Sequence, residues 1–435
     1  MLKNNSKLLL FLLLFSAIFA LLIGYFLFNS TFFEPDYYVC TTIGPIDIEL
    51  LDNNYSFNYP KSCDQAEYFK GFENFNTILL TEHSYQQRPL YIAMVYLANL
   101  LFTPIFLLLK ISQTFGLLIS LTFIHLIILN LALFLILKVV NPQNLNIGDI
   151  GLIVIFNLLT PIAKWGIFEP SNQMFTLLLM ILPVYFYKLN KEFYFQYSLI
   201  FGILFLANRV SLIGMITYLL LVILGRHKLR FFDVVKQIIV FFVPFLGYRL
   251  FFTVRGLTIF DTNTETYQQF SWIIDYFTGG NRKYGEYFCH RIPGFIKCYA
   301  EGTSDLLTYL LIPSIFAILF ILLSIRLKNT PGELFLSFTV LYFFWSLIGW
   351  YPMRFIYYSL GNFINILIIF GYFNLNKNFL QKLLYSFPII FYYLYLTMWN
   401  NPDSDNFIDR NYLYISLMLT FIYLVNLLMD RIRQN

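Results

Sequence analysis

Long apolar runs separated by short polar turns dominate the chain. They cover residues 8–28, 89–110, 113–138, 149–163, 173–187, 195–207, 210–225, 237–252, 305–325, 333–350, 355–373, 383–398 and 411–429. A helix of about 18 or more apolar residues is long enough to cross a bilayer, and runs of that size recur along the whole length. The alternating pattern of a membrane β-barrel is absent. The pattern predicts an all-α polytopic membrane protein with about 12–13 transmembrane helices. The first run follows the basic start MLKNNSK. It is too long for a signal peptide and lacks a small-residue cleavage site, so it reads as an uncleaved anchor.

Two long polar stretches, 29–88 and 253–304, and a shorter one, 399–410, interrupt the apolar pattern. They divide the chain into an N-terminal anchor helix (1–28), a first exoplasmic loop (29–88), core membrane helices (89–252), a second exoplasmic loop (253–304) and C-terminal membrane helices (305–435). Lys and Arg concentrate on cytoplasmic loops. Lys3 and Lys7, the cluster Arg226, His227, Lys228 and Arg230, and the pairs Arg326/Lys328, Lys377/Lys382 and Arg431/Arg433 therefore mark the inside. All three polar stretches then share the outer face. Thirteen crossings from inside would end outside, against the basic C-terminus. One run should therefore not cross, and 149–163 is the expected one. It is short, contains Pro161 and is followed by KWGIFEPSNQ. Irregular backbone at membrane depth needs protein or a wet cavity around it, which points to a cavity near Lys164 to Gln173.

The composition is 58% hydrophobic and 12% charged, about half the charge of a soluble domain. The net charge of +5 reflects cytoplasmic Lys and Arg, and no nucleic-acid signature is present. The four cysteines, Cys40, Cys63, Cys289 and Cys298, all fall in predicted outer loops. Pairing within each loop, Cys40–Cys63 and Cys289–Cys298, is the simplest of three connectivities and suits a periplasmic or other exoplasmic space. Four incidental thiols are the alternative.

Ion or proton transport usually needs ionisable groups near the bilayer centre. Lys164, Arg209, Arg249 and Arg354 all lie near segment ends on the outer side, and His125 is the one mid-membrane candidate. A lone histidine there is more often a hydrogen-bonded packing residue than a relay. The chain thus reads as an enzyme working at one membrane face. Arginine clamps phosphate through bidentate bonds. A loop carboxylate can take a proton from an incoming hydroxyl. Sugar transfer from a lipid-linked phosphate needs both.

Several fragments carry a resemblance. In DQAEYFKGF an Asp is followed one helical turn later by a Tyr, Asp64 and Tyr68, on one helix face. RPLYIAM opens a membrane helix with Arg88 and Pro89. FEPSNQMFTLLLMILPVYFYK sets Glu169 in an acidic turn before a short helix. GILFLANRVSLIGMITYLLLVIL is a hairpin with Arg209 at its basic position. VPFLGYRLFFTVRG leads into the second outer loop, and WYPMRFIYYSLGNF carries Arg354. Taken in order over about residues 8 to 373, these resemble the GT-C superfamily of membrane glycosyltransferases, bacterial type. The resemblance implies a polyprenyl-phosphate-linked sugar donor, a glycan, lipid or protein acceptor, and a site on the exoplasmic face of a bacterial inner membrane. It implies an outer-loop acid as base and Arg88, Arg209 and Arg354 as phosphate partners, with Tyr68, Glu169 and His290 beside them. The stretch 29–63 is an addition to the family pattern. Glu34 and Asp36, in FFEPDYY, hold the place closer to the first helix, so either Asp64 or Asp36 fits the base.

Each residue also has a plainer reading. Asp64 could cap a helix, since CDQAE resembles a capping box. Asp36 could be a turn residue after Pro35, and Glu67 a solvated side chain. Arg88 could snorkel to the interface, and Arg354 could anchor an aromatic belt. Arg282, Lys283, His290 and Arg291 could line a lid hinged at Gly279–Gly280, or cap the bundle. His83 reads as a surface residue. No Cys/His cluster has zinc spacing. Loop acids could bind a divalent cation, as in some relatives, although no spacing demands it. The expected reaction is a direct displacement that inverts the anomeric centre. The alternatives are an O-antigen polymerase or ligase, and a non-enzymatic lipid or polysaccharide transporter. The first would place its main loop late in the chain. The second would show internal repeats and a polar path through the bilayer.

Overall fold

The computed structural model describes residues 12–18, 21, 46–51, 55–59, 63–80, 84–140, 147–158, 167, 172–190, 192–225 and 231–257. It also describes five isolated positions, Glu333, Ser337, Val340, Leu383 and Phe387. Most of the described residues are helical. The exception is a hairpin in the first polar stretch, β1 (Ile46–Leu51) and β2 (Tyr55–Tyr59). The strands are antiparallel with Ile46 opposite Tyr59 and Ile48 opposite Phe57. Their sequences, IDIELL and YSFNY, alternate apolar and polar residues at the strand period.

Helix α1 (Cys63–Glu73) and the short α2 (Thr77–Leu80) follow the hairpin. A 3-10 turn, Ser84–Gln87, leads to α3 (Pro89–Leu108). Pro89 suits the first helical position, because that N–H would have no helical partner anyway. It also keeps Arg88 out of the helix, at φ −133° and ψ 48°. Next come α4 (Gln113–Val140), α5 (Ile147–Leu158), α6 (Phe175–Leu189), α7 (Phe195–Phe205), α8 (Ser211–Leu224) and α9 (Phe231–Val254). These match the apolar runs within a few residues, except that α9 begins earlier and takes in Asp233 and Lys236. Three of these helices, α3, α4 and α9, are long and apolar enough to cross a membrane.

Helix lengths differ in a way that organises the molecule. At about 1.5 Å per residue, α4 is about 42 Å long and α9 about 36 Å, whereas α6, α7 and α8 are only about 22, 16 and 21 Å. Helices α3 and α4 run antiparallel, with Phe102 edge-on to Phe123 at 4.9 Å and Phe106 packed onto Gly116. The short helices pack beside the other half of α4. Helix α6 starts at Phe175, which lies edge-on to Tyr91, the hydrogen-bond partner of His125. It ends where Lys188 Nζ donates to Val139 O at 3.0 Å. Helix α6 therefore runs parallel to the second half of α4. The α8 end at Gly225 sits against Tyr187 Oη, at the same end as Lys188. Tyr218 Oη ties this end further, donating to Glu192 O and accepting from Tyr194 N.

Helices α7 and α9 run side by side. Ser198 Oγ donates to Gln237 Oε1, Phe205 packs edge-on to Phe241 and Phe245 at 5.5 Å, and Gly202 lies directly against the Phe241 carbonyl. The other ends of α6, α7 and α8 reach only the level of His125, about midway along α4. Above that level, among the described residues, α3, the first half of α4 and the end of α9 continue. The helical segment 12–18 joins the lower half, where Asn130 Nδ2 donates to Ser16 Oγ at 2.6 Å and Phe15 approaches Gly151.

Candidate active site

Four chain segments meet at the upper ends of the short helices. The first is the entry to α3. The Leu90 amide donates to Leu206 O, at the turn between α7 and α8. This bond sets Arg88, two residues before Leu90, and Arg209, three residues after Leu206, at one junction. The second is the turn before α6. Asn172 Nδ2 donates to Ala207 O at 2.8 Å, and Asn208 Nδ2 donates back to Asn172 O at 2.7 Å. Asn208 Oδ1 then accepts from the Val210 amide at 2.9 Å. Both asparagines are buried, and their reciprocal clasp satisfies backbone groups that the helix ends leave unpaired. Arg209 is half-buried beside the clasp, held in a turn that the clasp fixes on both sides.

The third segment is α1. Tyr68, on its inner face, is buried and accepts a hydrogen bond from Arg88 Nη1. The Arg88 guanidinium also lies 5.6 Å from the Tyr68 ring centroid. Phe69 and Phe72 bury the rest of this face, and Gly71 lets α1 approach Ile92 of α3. The fourth is α9. Its Tyr248 Oη donates to Gln86 O at 2.8 Å, and Gln86 Nε2 donates to Ile78 O at 2.7 Å. The turn ahead of Arg88 is thus held from both sides.

Of the residues singled out in the sequence, Tyr68 and Arg88 are in contact here, and the Leu90–Leu206 bond brings the turn that carries Arg209 beside them. Asp64 lies in the first turn of α1, one turn before Tyr68, which places it inside the helix and past the capping position. Cys63 opens the same helix. Asp36, Cys40, Glu169, Cys289, His290, Cys298 and Arg354 lie outside the described residues, as do both cysteine pairings and the second loop. Among the described residues, no group of three His, Cys, Asp or Glu side chains is arranged to hold a metal ion.

Sequence reasoning passed over Asn172, Asn208, Tyr91, Gln86 and Tyr248. Asn172 sits in EPSNQ and Asn208 in LANR. A buried asparagine beside a helix end was the available signal, since Asn readily closes such ends. His125 is buried between Tyr91 Oη and Ile167 O, each at 3.0 Å. That is the packing role expected for it, with both ring nitrogens bonded. No protein-family model matches this chain, and no curated protein or solved structure matches it. The functional reading therefore rests on the residues themselves.

Proposed function

We propose that the chain is a multi-pass membrane glycosyltransferase that moves a sugar from a polyprenyl-phosphate donor to an acceptor hydroxyl at the exoplasmic face. The observation that carries this reading is the junction of Arg88, Tyr68 and Arg209, three residues of separate motifs held together by the Leu90–Leu206 bond. The Arg88 guanidinium, with the turn that carries Arg209 close by, suits a phosphate, because each arginine offers several fixed donors. In the reaction, an outer-loop acid, Asp64 or Asp36, removes the acceptor proton. The hydroxyl oxygen attacks the anomeric carbon, and the bond from that carbon to the phosphate oxygen breaks. The arginines stabilise the charge that develops on the departing phosphate. Asp64 is the stronger candidate for the base, since α1 delivers Tyr68 to Arg88 one turn further on.

The same reading orients the chain. Lys138 and Lys188 lie at one end of the bundle, the end from which the chain leaves Gly225 for the basic stretch 226–230. By the positive-inside rule that end is cytoplasmic. The end of α4 is then inside, and α3 runs outward from a start midway along α4. The junction lies near the level of His125, midway along α4. Leu101 and Leu108 of α3 and Leu246 and Leu250 of α9 are exposed, as lipid-facing side chains would be.

The test is consumption of a panel of undecaprenyl-phosphate sugars by the full chain reconstituted in vesicles. Wild-type turnover is expected, with Arg88→Ala and Arg209→Ala each lowering it about a hundredfold or more, as the loss of a charge-stabilising donor does. Asp64→Asn should abolish turnover and leave donor retention intact. If only Asp36→Asn does so, the base is Asp36. Absence of turnover with every donor would favour the transporter reading.

A further inference from the structure

A column of side chains runs from the first-loop helix to the segment that leads into α6. Arg88 donates to Tyr68, and the Tyr68 ring lies edge-on to Tyr91, 5.8 Å between centroids. Tyr91 Oη lies 3.0 Å from His125 Nε2, with the two rings nearly parallel, and His125 Nδ1 lies 3.0 Å from Ile167 O. Tyr68 is 4% exposed, and Tyr91 and His125 are 0% exposed. The bond directions follow from the partners. A backbone carbonyl only accepts, so Nδ1 carries the hydrogen. In the neutral imidazole Nε2 is then the acceptor, and the Tyr91 hydroxyl donates to it. Tyr91, His125 and Ile167, far apart in sequence, therefore meet in one hydrogen-bonded line, and a ring contact joins Tyr68 to it. Ile167 stands two residues before Glu169.

We propose that His125 is a positioning residue. It latches the turn entering α6 to the start of α3, and through Tyr91 it holds the Tyr68–Arg88 pair in the orientation that a phosphate contact needs. A core filler at this place would need only a flat ring. The latch needs a ring that donates at one edge and accepts at the other, and no other neutral side chain offers both at that separation. The phosphate part of this inference rests on the glycosyl-transfer reading, whereas the latch itself does not.

Two measurements on the full chain in phosphatidylcholine vesicles separate these layers. The first is hydrogen exchange without ligand. His125→Phe keeps the ring and loses both bonds, and should speed exchange in the peptides around Ile167 and around Leu90 together. His125→Gln can reach Tyr91, and His125→Asn can reach Ile167 O. Each should restore protection on its own side. The second is retention of undecaprenyl phosphate. His125→Phe should weaken it about tenfold, the size of one buried hydrogen bond of ~1.4 kcal/mol. Arg88→Lys should weaken it by a similar factor in the wild type and by less than about twofold in the His125→Phe background, because the two act through one line. Unchanged exchange in all three His125 variants overturns the latch. Costs of His125→Phe and Arg88→Lys that multiply overturn its action on Arg88. If the wild type does not retain the lipid, the donor reading fails, and the exchange data still decide the latch.

Discussion

The short helices α6, α7 and α8 and the long helices α3 and α9 are built from the same apolar residues, yet they place their polar groups differently. Side-chain bonds tie the ends of the short helices to neighbouring backbone. Asn172, Asn208 and Ser211 do so at the upper ends, and Lys188 and Tyr218 at the lower ones. Helix α6 is buried along almost its whole length. The long helices instead carry exposed leucines, with Leu101 76% exposed on α3 and Val254 77% exposed on α9. A helix of about 15–22 Å cannot cross the ~30 Å hydrocarbon layer, so its ends need protein partners where water is scarce. A long helix can leave its sides to lipid, and only where it ends among the short helices, as α3 does at Arg88, does it need polar partners there. The contrast teaches where polar chemistry can be built in such a chain. It belongs at the ends of short helices, and that is where Arg88, Tyr68 and Arg209 converge.

The contrast breaks most easily at Gly202. A Cβ added there would collide with the backbone carbonyl of Phe241 and crowd Pro244 Cδ at 3.1 Å. Backbone does not yield as a side-chain tip does. Gly202→Val should therefore destabilise the chain by about 3 kcal/mol or force α7 away from α9. Thermal unfolding of the purified protein in detergent would read this as a large fall in Tm. A wild-type Tm would mean that α7 and α9 are not in close contact.

The next largest effect is expected at the clasp. Asn172→Ala and Asn208→Ala each leave a buried carbonyl without its donor, which costs about 1–3 kcal/mol. The two bonds close one ring of interactions, so the double variant should cost clearly less than the sum. Additive costs would mean that the turns are held independently, and that Arg209 owes nothing to Asn172.

Much of this arrangement could be read along the sequence, and the unread part shares one cause. Hydropathy located α3 to α8 within a few residues, because burial in an apolar medium acts on each segment alone. The Asp64–Tyr68 spacing on one helix was legible for the same reason. The alternation in IDIELL was a strand signal that the all-α reading passed over. What periodicity cannot supply is level. Nothing local says that α6 runs beside the second half of α4, since that depends on Lys188 meeting Val139, 49 residues away. The clasp was missed similarly. Asn172 and Asn208 look like loop residues until the two turns are brought together.

Two smaller changes sharpen the comparison. Thr176, in the first turn of α6, is buried, and its hydroxyl has no hydrogen-bond partner. Thr176→Val keeps the shape and removes an unsatisfied polar atom, so it should stabilise the chain by about 1 kcal/mol. A loss of stability, or a loss of turnover at unchanged stability, would instead give that hydroxyl a role in the site.

The smallest effect is expected at Gly247, on the open stretch of α9. A Cβ there meets nothing within 4 Å. Gly247→Ala then removes backbone freedom from the unfolded chain at no steric cost, and should raise stability by about 0.5–1 kcal/mol. Gly202 and Gly247 thus report on opposite sides of the contrast, the one on α7 where it packs against α9, the other on α9 where it stands alone. A destabilising Gly247→Ala would mean that another surface closes on this part of α9. Vesicle-reconstituted and detergent samples would separate the two cases, since a lipid-facing alanine is tolerated equally in both.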